Sequence, residues 1–358
     1  MSKVTTVTGT IPPKELGITL PHEHLIVDTS TWVESGPNAD LSALQRKKLE
    51  EEVSTDNLWW LSTYGRQWDW NCLDNRRLDD EETAVEESMR FVAEGGGTIV
   101  DVTPMSSGLG RDPAALQRIS NRTGLNVVAG TGHYVRAEHP PRVESQSAEA
   151  IAAEMIEEVV TGIGESTIQA GVIGEIGASH PFEEHPNEQK VFRAAAIAQS
   201  ETGAPITVHP PVMHQDGHEV LDVLEDAGAN LENVILGHLD GALETAGASE
   251  YYDSIAKRGV SLEFDTFGRI GYSAPSDQCF PLDESRIREL RRLMDAGYGQ
   301  QLLISHDICK KNQLTTYAGF GYDYILRDIV PRMRRRGFTE DELQTLLERN
   351  PASALAIG

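Results

Sequence analysis

The chain has 358 residues and a mass of 39.3 kDa, is 39% hydrophobic, and carries a formal net charge of −25 from 31 Lys+Arg against 56 Asp+Glu. That length fits two ordinary domains or one large α/β barrel, and the composition excludes both a disulfide-stapled miniprotein and a disordered chain. A pI near 4.8 leaves no basic face for phosphate backbones, so nucleic acid is not the expected partner.

No run approaches the ~20 consecutive apolar residues of a membrane span, so no membrane partner is expected. Met1-Ser2-Lys3-Val4-Thr5-Thr6 lacks the apolar stretch of a secretory signal. Cys72, Cys279 and Cys309 cannot all pair, which points to a reducing compartment and a cytoplasmic protein. Only 8 of the 31 cations are Lys. Scarce Lys among many acids is also what salt adaptation produces, and composition leaves that open.

In chain order, residues 4–16 read as a short hairpin. Eight β-branched or apolar runs follow, at 17–20, 98–102, 125–129, 171–174, 205–208, 233–236, 260–264 and 301–304. Such short continuous runs are what strands buried on both faces look like. Helical spacing recurs between them, over 80–94, 113–123, 148–161, 187–201, 217–227, 250–257 and 284–296, then 322–336 and 340–349. Asn187 is a candidate N-cap, and Gly124, Gly203, Gly228, Gly259 and Gly297 stand where helices end. Eight alternations predict one (β/α)8 barrel, a single domain over 1–358. A doubly wound sheet is the alternative, but no Gly-rich dinucleotide fingerprint opens the first unit.

Residues 30–78 form a long insertion after strand 1 that holds all five tryptophans, Trp32, Trp59, Trp60, Trp68 and Trp70. A lid or pocket wall is one reading of so many aromatics in a loop, and a packing cap or subunit contact is the other.

The residues that end the strands carry the chemistry. Strand 1 runs into His22-Glu23-His24, and residues i and i+2 of a strand share a face, so both imidazoles can reach one point. Strand 4 ends in Glu175, strand 5 in His209, strand 6 in His238 and strand 8 in His306-Asp307. Barrel active sites gather at these C-terminal ends. Singly, each residue has an ordinary structural explanation. Together, four His with Glu175 and Asp307 are costly to bury without compensating cations, and imidazole with carboxylate suits Zn, Mn, Co or Fe.

The pattern resembles the phosphotriesterase-related family of the amidohydrolase superfamily. The likeness runs nearly end to end, through Leu20-Pro21-His22-Glu23-His24, Gly108-Leu109-Gly110-Arg111-Asp112, Gly130-Thr131-Gly132-His133-Tyr134, Gly174-Glu175-Ile176-Gly177 and Leu303-Ile304-Ser305-His306-Asp307. The best-known members bridge two metals with a carboxylated Lys on strand 4. Glu175 in its place resembles the branch of lactonase-like and resiniferatoxin-binding-like proteins, and weakens any expectation of phosphotriester hydrolysis. The resemblance implies two divalent ions, zinc first with Mn or Co possible. His22, His24, Glu175 and Asp307 would hold one, and His209, His238 and the other Glu175 oxygen the second. A metal-bridging hydroxide would open a sugar-type lactone, with Asp307 moving the proton and Tyr134 donating to the carbonyl oxygen or lining the pocket.

N-acyl amides and phosphate esters are alternative substrates for such a site. A mononuclear mechanism or a non-catalytic ligand-binding barrel are the other readings. Arg269 after strand 7 and Lys310-Lys311 after strand 8 are cations in an acidic chain, so the small-molecule substrate is expected to be anionic, unless these are solvated surface charges. A homodimer is possible.

Overall fold

The computed structural model describes residues 2–31, 43–63, 72–105, 108–273 and 278–358. Eight strands form one parallel sheet, and we number them 1 to 8: Ile18–Glu23, Gly96–Asp101, Asn126–Thr131, Val172–Gly177, Ile206–His209, Val234–Leu236, Ser261–Phe264 and Leu302–Ile304. Each pairs in parallel with its neighbours in sequence. The end of strand 8 returns to strand 1, where Asp307 N donates to His22 O at 3.2 Å and His22 N donates to Ser305 Oγ at 3.3 Å. The expected (β/α)8 barrel is the observed fold.

Helices Glu81–Ala93, Pro113–Thr123, Ala148–Val160, Pro186–Thr202, Gly217–Asp226, Ala248–Ala256 and Asp283–Asp295 follow strands 1 to 7 in the manner of the alternating pattern. Asp112 caps the second by accepting from Ala115 N at 2.9 Å. One cap differs from expectation. Asn187 lies inside its helix, because Pro186 takes the first position and His185 becomes the N-cap. The fixed φ and missing N–H of proline suit that place. The last two helical segments are also broken. Ile325–Ile329 and Thr345–Arg349 are π-helical, and each runs into a helix with proline in its first turn, Pro331 and Pro351. Proline cannot donate to the carbonyl four residues back, so the turn before it widens.

The hydrophobic residues sort into two buried clusters. The larger lies between sheet and helices, with Phe91, Ile119, Met155, Phe192, Leu221, Ile255 and Leu290 all fully covered. The smaller, Val100, Val128, Val172, Ile235 and Leu303 with Val4, Leu16 and Leu355, takes residues from strands 2, 3, 4, 6 and 8. This is the filled interior that makes such a barrel a packed core rather than a pore. Burying each of these side chains is worth roughly 1.5–3 kcal/mol.

The N-terminal hairpin pairs Val4–Thr6 with Gly9–Ile11. At the base of the insertion, Val27–Asp28 just before it pairs antiparallel with Arg77–Leu78 at its end, and helices Ala43–Leu49 and Leu58–Thr63 lie between. Trp59 is exposed, and Lys48 Nζ sits 5.4 Å from the Trp60 ring. Trp32, Trp68 and Trp70 lie outside the described residues, so the lid reading of the insertion falls largely there. No helix among the described residues is long and apolar enough to cross a membrane.

Candidate metal centre

The C-terminal ends of the strands converge on Glu175. Its Oε2 lies 3.3 Å from His22 Nε2, 3.0 Å from His209 Nδ1 and 3.4 Å from His238 Nε2, and its Oε1 lies 3.5 Å from His24 Nε2. Asp307 joins from strand 8, with Oδ1 3.4 Å from His24 Nε2. His209 Nδ1 and His238 Nε2 face each other at 2.6 Å. The six expected ligands therefore meet in one place.

Three of the imidazoles are anchored through their other nitrogen. His22 Nδ1 lies 3.0 Å from Glu263 Oε2 and 3.2 Å from Asp265 Oδ2, His238 Nδ1 lies 2.8 Å from Asp265 Oδ1, and His24 Nδ1 lies 2.8 Å from Thr103 Oγ1. An imidazole held this way aims its remaining lone pair inward, as a metal ligand does. The buried His22 Nε2 has no hydrogen bond of its own. His238 and Asp307 both sit at positive φ, +51° and +52°, a sparsely populated conformation for residues with side chains that fits a functional constraint.

The electrostatics also call for cations. Burial raises the Glu175 carboxyl, but His209, His22 and His238 hold it well below the usual carboxylate range. Burial drives Glu263 up to about 7 despite His22 beside it. Burial pulls the His238 imidazole down, while Asp265 and Glu175 outweigh that and bring it to about 10. Four carboxylates share this buried space, and divalent ions are what such a donor set compensates. By reach, His22, Glu175 and His238 make one group and His22, His24 and Asp307 another, the ligand atoms within each lying within 4.8 Å of one another. The residues fit divalent metal.

A cavity of about 430 Å³ opens over this centre. His24, Glu175, His209, His238 and Asp307 form its floor, and Tyr134, Arg269 and Lys310 are on its walls. The Tyr134 hydroxyl lies 3.0 Å from His209 Nε2. Arg269 is turned to Asp307, with Nη2 2.8 Å from Oδ2, and also donates to Cys309 Sγ at 3.1 Å. Lys311 is drawn off to Asp74 at 2.6 Å. His306 points away from the axis, as expected, and bonds Glu23 Oε1 at 2.8 Å. Among the described residues, 43–63 and 72–78 of the insertion contribute nothing to the cavity lining.

Sequence reasoning missed the residues beneath the ligands. Glu263 on strand 7 and Asp265 just past its end are i and i+2, the same signal that joined His22 to His24, so that pair was legible. Glu23 was not, because it points to the far side of strand 1. There it accepts from Ser305 Oγ at 2.7 Å, His306 N at 2.9 Å and Ile308 N at 2.9 Å, and so fixes the segment that carries Asp307. Asp101 does the same for the turn after His24, accepting from Leu25 N at 2.7 Å and Thr103 N at 3.0 Å.

The profile of the Phosphotriesterase family matches residues 2–355. An N-acetyltaurine hydrolase of Rattus norvegicus is 36% identical over 355 residues, covering 98% of this chain and 96% of the relative. The crystal structure of a resiniferatoxin-binding protein from Rhodobacter sphaeroides superposes with a TM-score of 0.91 at 37% identity, over 99% of this chain and 94% of that one. A mutant of a PTE-like lactonase from Deinococcus radiodurans gives a TM-score of 0.73 at 29% identity, over 99% of this chain and 100% of that one.

Proposed function

The chain belongs to the phosphotriesterase family of hydrolases, and from that premise we propose that it hydrolyses a small N-acyl amide with an anionic group, of which N-acetyltaurine is the representative. Two divalent ions, zinc first among the candidates, would be held by His22, His24, Glu175, His209, His238 and Asp307. The observation that carries the reading is the convergence of four imidazoles and Asp307 on one buried carboxylate, with three of the four imidazoles anchored from behind. Bound there, divalent ions supply Lewis acidity and lower the pKa of water.

The chain's own residues do the rest. Asp307, steadied by Arg269, accepts the proton of the attacking water and returns it to the leaving amine, which must be protonated to depart. Tyr134 stands on the cavity wall, where its hydroxyl can donate to the substrate carbonyl. Lys310, on the same cavity wall, places positive charge beside an anionic group. The choice of amide over lactone is supported by the N-acetyltaurine hydrolase, which is more similar to this chain than the Deinococcus lactonase is. A sugar-type lactone is the second reading, supported by that lactonase and open to the same attack on an acyl carbon.

The test is a panel of N-acetyltaurine, N-acetyl amino acids, aldonolactones and a phosphate triester against the zinc- and manganese-loaded protein. The expected result is the highest kcat/KM on an anionic N-acyl amide. Turnover of lactones alone moves the assignment to the second reading. No turnover of any ester or amide by protein with bound metal overturns both.

A further inference from the structure

A second cluster of metal-ligating side chains stands at the rim of the same cavity, apart from the buried centre. His180, after strand 4, stacks on His214, after strand 5, with ring centroids 3.8 Å apart and planes 11° from parallel. His180 Nδ1 lies 2.6 Å from Asp216 Oδ2. One ligand atom from each of the three falls within 4.8 Å of the others. Both histidines line the cavity.

We propose that His180, His214 and Asp216 form an outer site for a divalent transition ion such as zinc, nickel or copper, separate from the buried centre and weaker than it. Two imidazoles and one carboxylate are the donor set that borderline metals prefer, and water would complete the shell on the solvent side.

The ligands are presented on a braced loop. Gln215, between His214 and Asp216, donates to Thr245 Oγ1 at 2.7 Å and Ala246 O at 3.0 Å, which holds its two neighbours in place. Among the described residues no hydrogen bond reaches the His214 ring nitrogens. Binding exchanges the His180–Asp216 hydrogen bond for bonds to the ion, and the His180 side chain, 45% exposed, has solvent on one side in which to turn. An ion here would stand over the route to Glu175 and Asp307. The outer site therefore predicts inhibition by excess metal, without any assumption about the substrate.

The experiment measures zinc bound per chain by equilibrium dialysis as free zinc is raised through the micromolar range. It compares wild type with His180→Ala, His214→Ala and Asp216→Asn. Wild type should hold one equivalent more than each variant, with the tightly bound metal unchanged in all four, which also shows that the variants are folded. A wild type with no extra equivalent, or variants that keep it, overturns the proposal.

Discussion

Arg269 Nη2 lies 2.8 Å from Asp307 Oδ2 and 2.5 Å from the Asp307 carbonyl oxygen. One guanidinium thus grips both the side chain and the backbone of a residue held at φ +52°. Its charge is the main reason the buried Asp307 carboxyl stays below the usual carboxylate range against the penalty of burial. Arg269 is therefore expected to set the position and basicity of Asp307.

Arg269→Gln should lower kcat by roughly 10–100-fold with a smaller change in KM, the scale seen when a partner behind a metal ligand is removed. The acid limb of the kcat profile should move to higher pH, because Asp307 loses the cation that favours its ionised form. Steady-state kinetics across pH checks this. An unchanged limb would show that Arg269 serves the substrate and not Asp307.

Glu175→Gln keeps the size of the side chain but removes the charge around which four imidazoles are arranged. It should lose bound metal and turnover together. Metal analysis beside activity decides the matter, and a Gln variant with full metal and full rate would sink the role of Glu175 as a metal ligand.

Asp265 is fully buried and lies against both His22 and His238. Asp265→Asn should weaken metal binding by about 10–100-fold while the helical signal by circular dichroism is retained. The readout is metal retained against a graded chelator. Retention equal to wild type would mean that the two imidazoles are oriented by other contacts.

Glu23 does not line the cavity over the metal centre, yet its fully buried carboxylate accepts four hydrogen bonds from residues 305–308. Glu23→Leu strands those donors, each at about 1–3 kcal/mol. The expected loss is at least about 3 kcal/mol in urea unfolding, with weakened metal binding because Asp307 is carried on the same segment. A variant as stable as wild type would refute the anchoring role.

His133 is buried with neither ring nitrogen hydrogen-bonded, and burial lowers its pKa to about 3. The unfolded chain takes up a proton near the ordinary value of about 6.5 and the folded chain does not, so stability falls as pH drops from 6.5 toward 3. Each pH unit in that window costs about 1.4 kcal/mol. The slope of unfolding free energy between pH 6 and 4 should flatten in His133→Leu. An unaltered slope assigns the acid sensitivity elsewhere.

The barrel was legible from sequence because strands buried on both faces must be continuously apolar, and eight such runs alternate with helical spacing. The ligands were legible because they break those runs at their C-terminal ends, the one place on this fold where a buried His or Glu has an inward purpose. Asn187 was misplaced because a local cap signal cannot see that Pro186 fits the first helical position better. The broken final helices follow from Pro331 and Pro351, which the periodicity alone passed over.

By itself, then, the sequence determined the fold and the identity of the converging groups, since both follow from local pattern and the period-2 geometry of strands. Which nitrogen His22, His24 and His238 turn inward was decided only by tertiary structure, because Glu263, Asp265 and Thr103 reach them from the ends of other strands. The same holds for Arg269, in sequence terms a candidate contact for an anionic substrate, which folding lays across Asp307. It holds too for His180, His214 and Asp216, which only the closing of the barrel rim brings side by side.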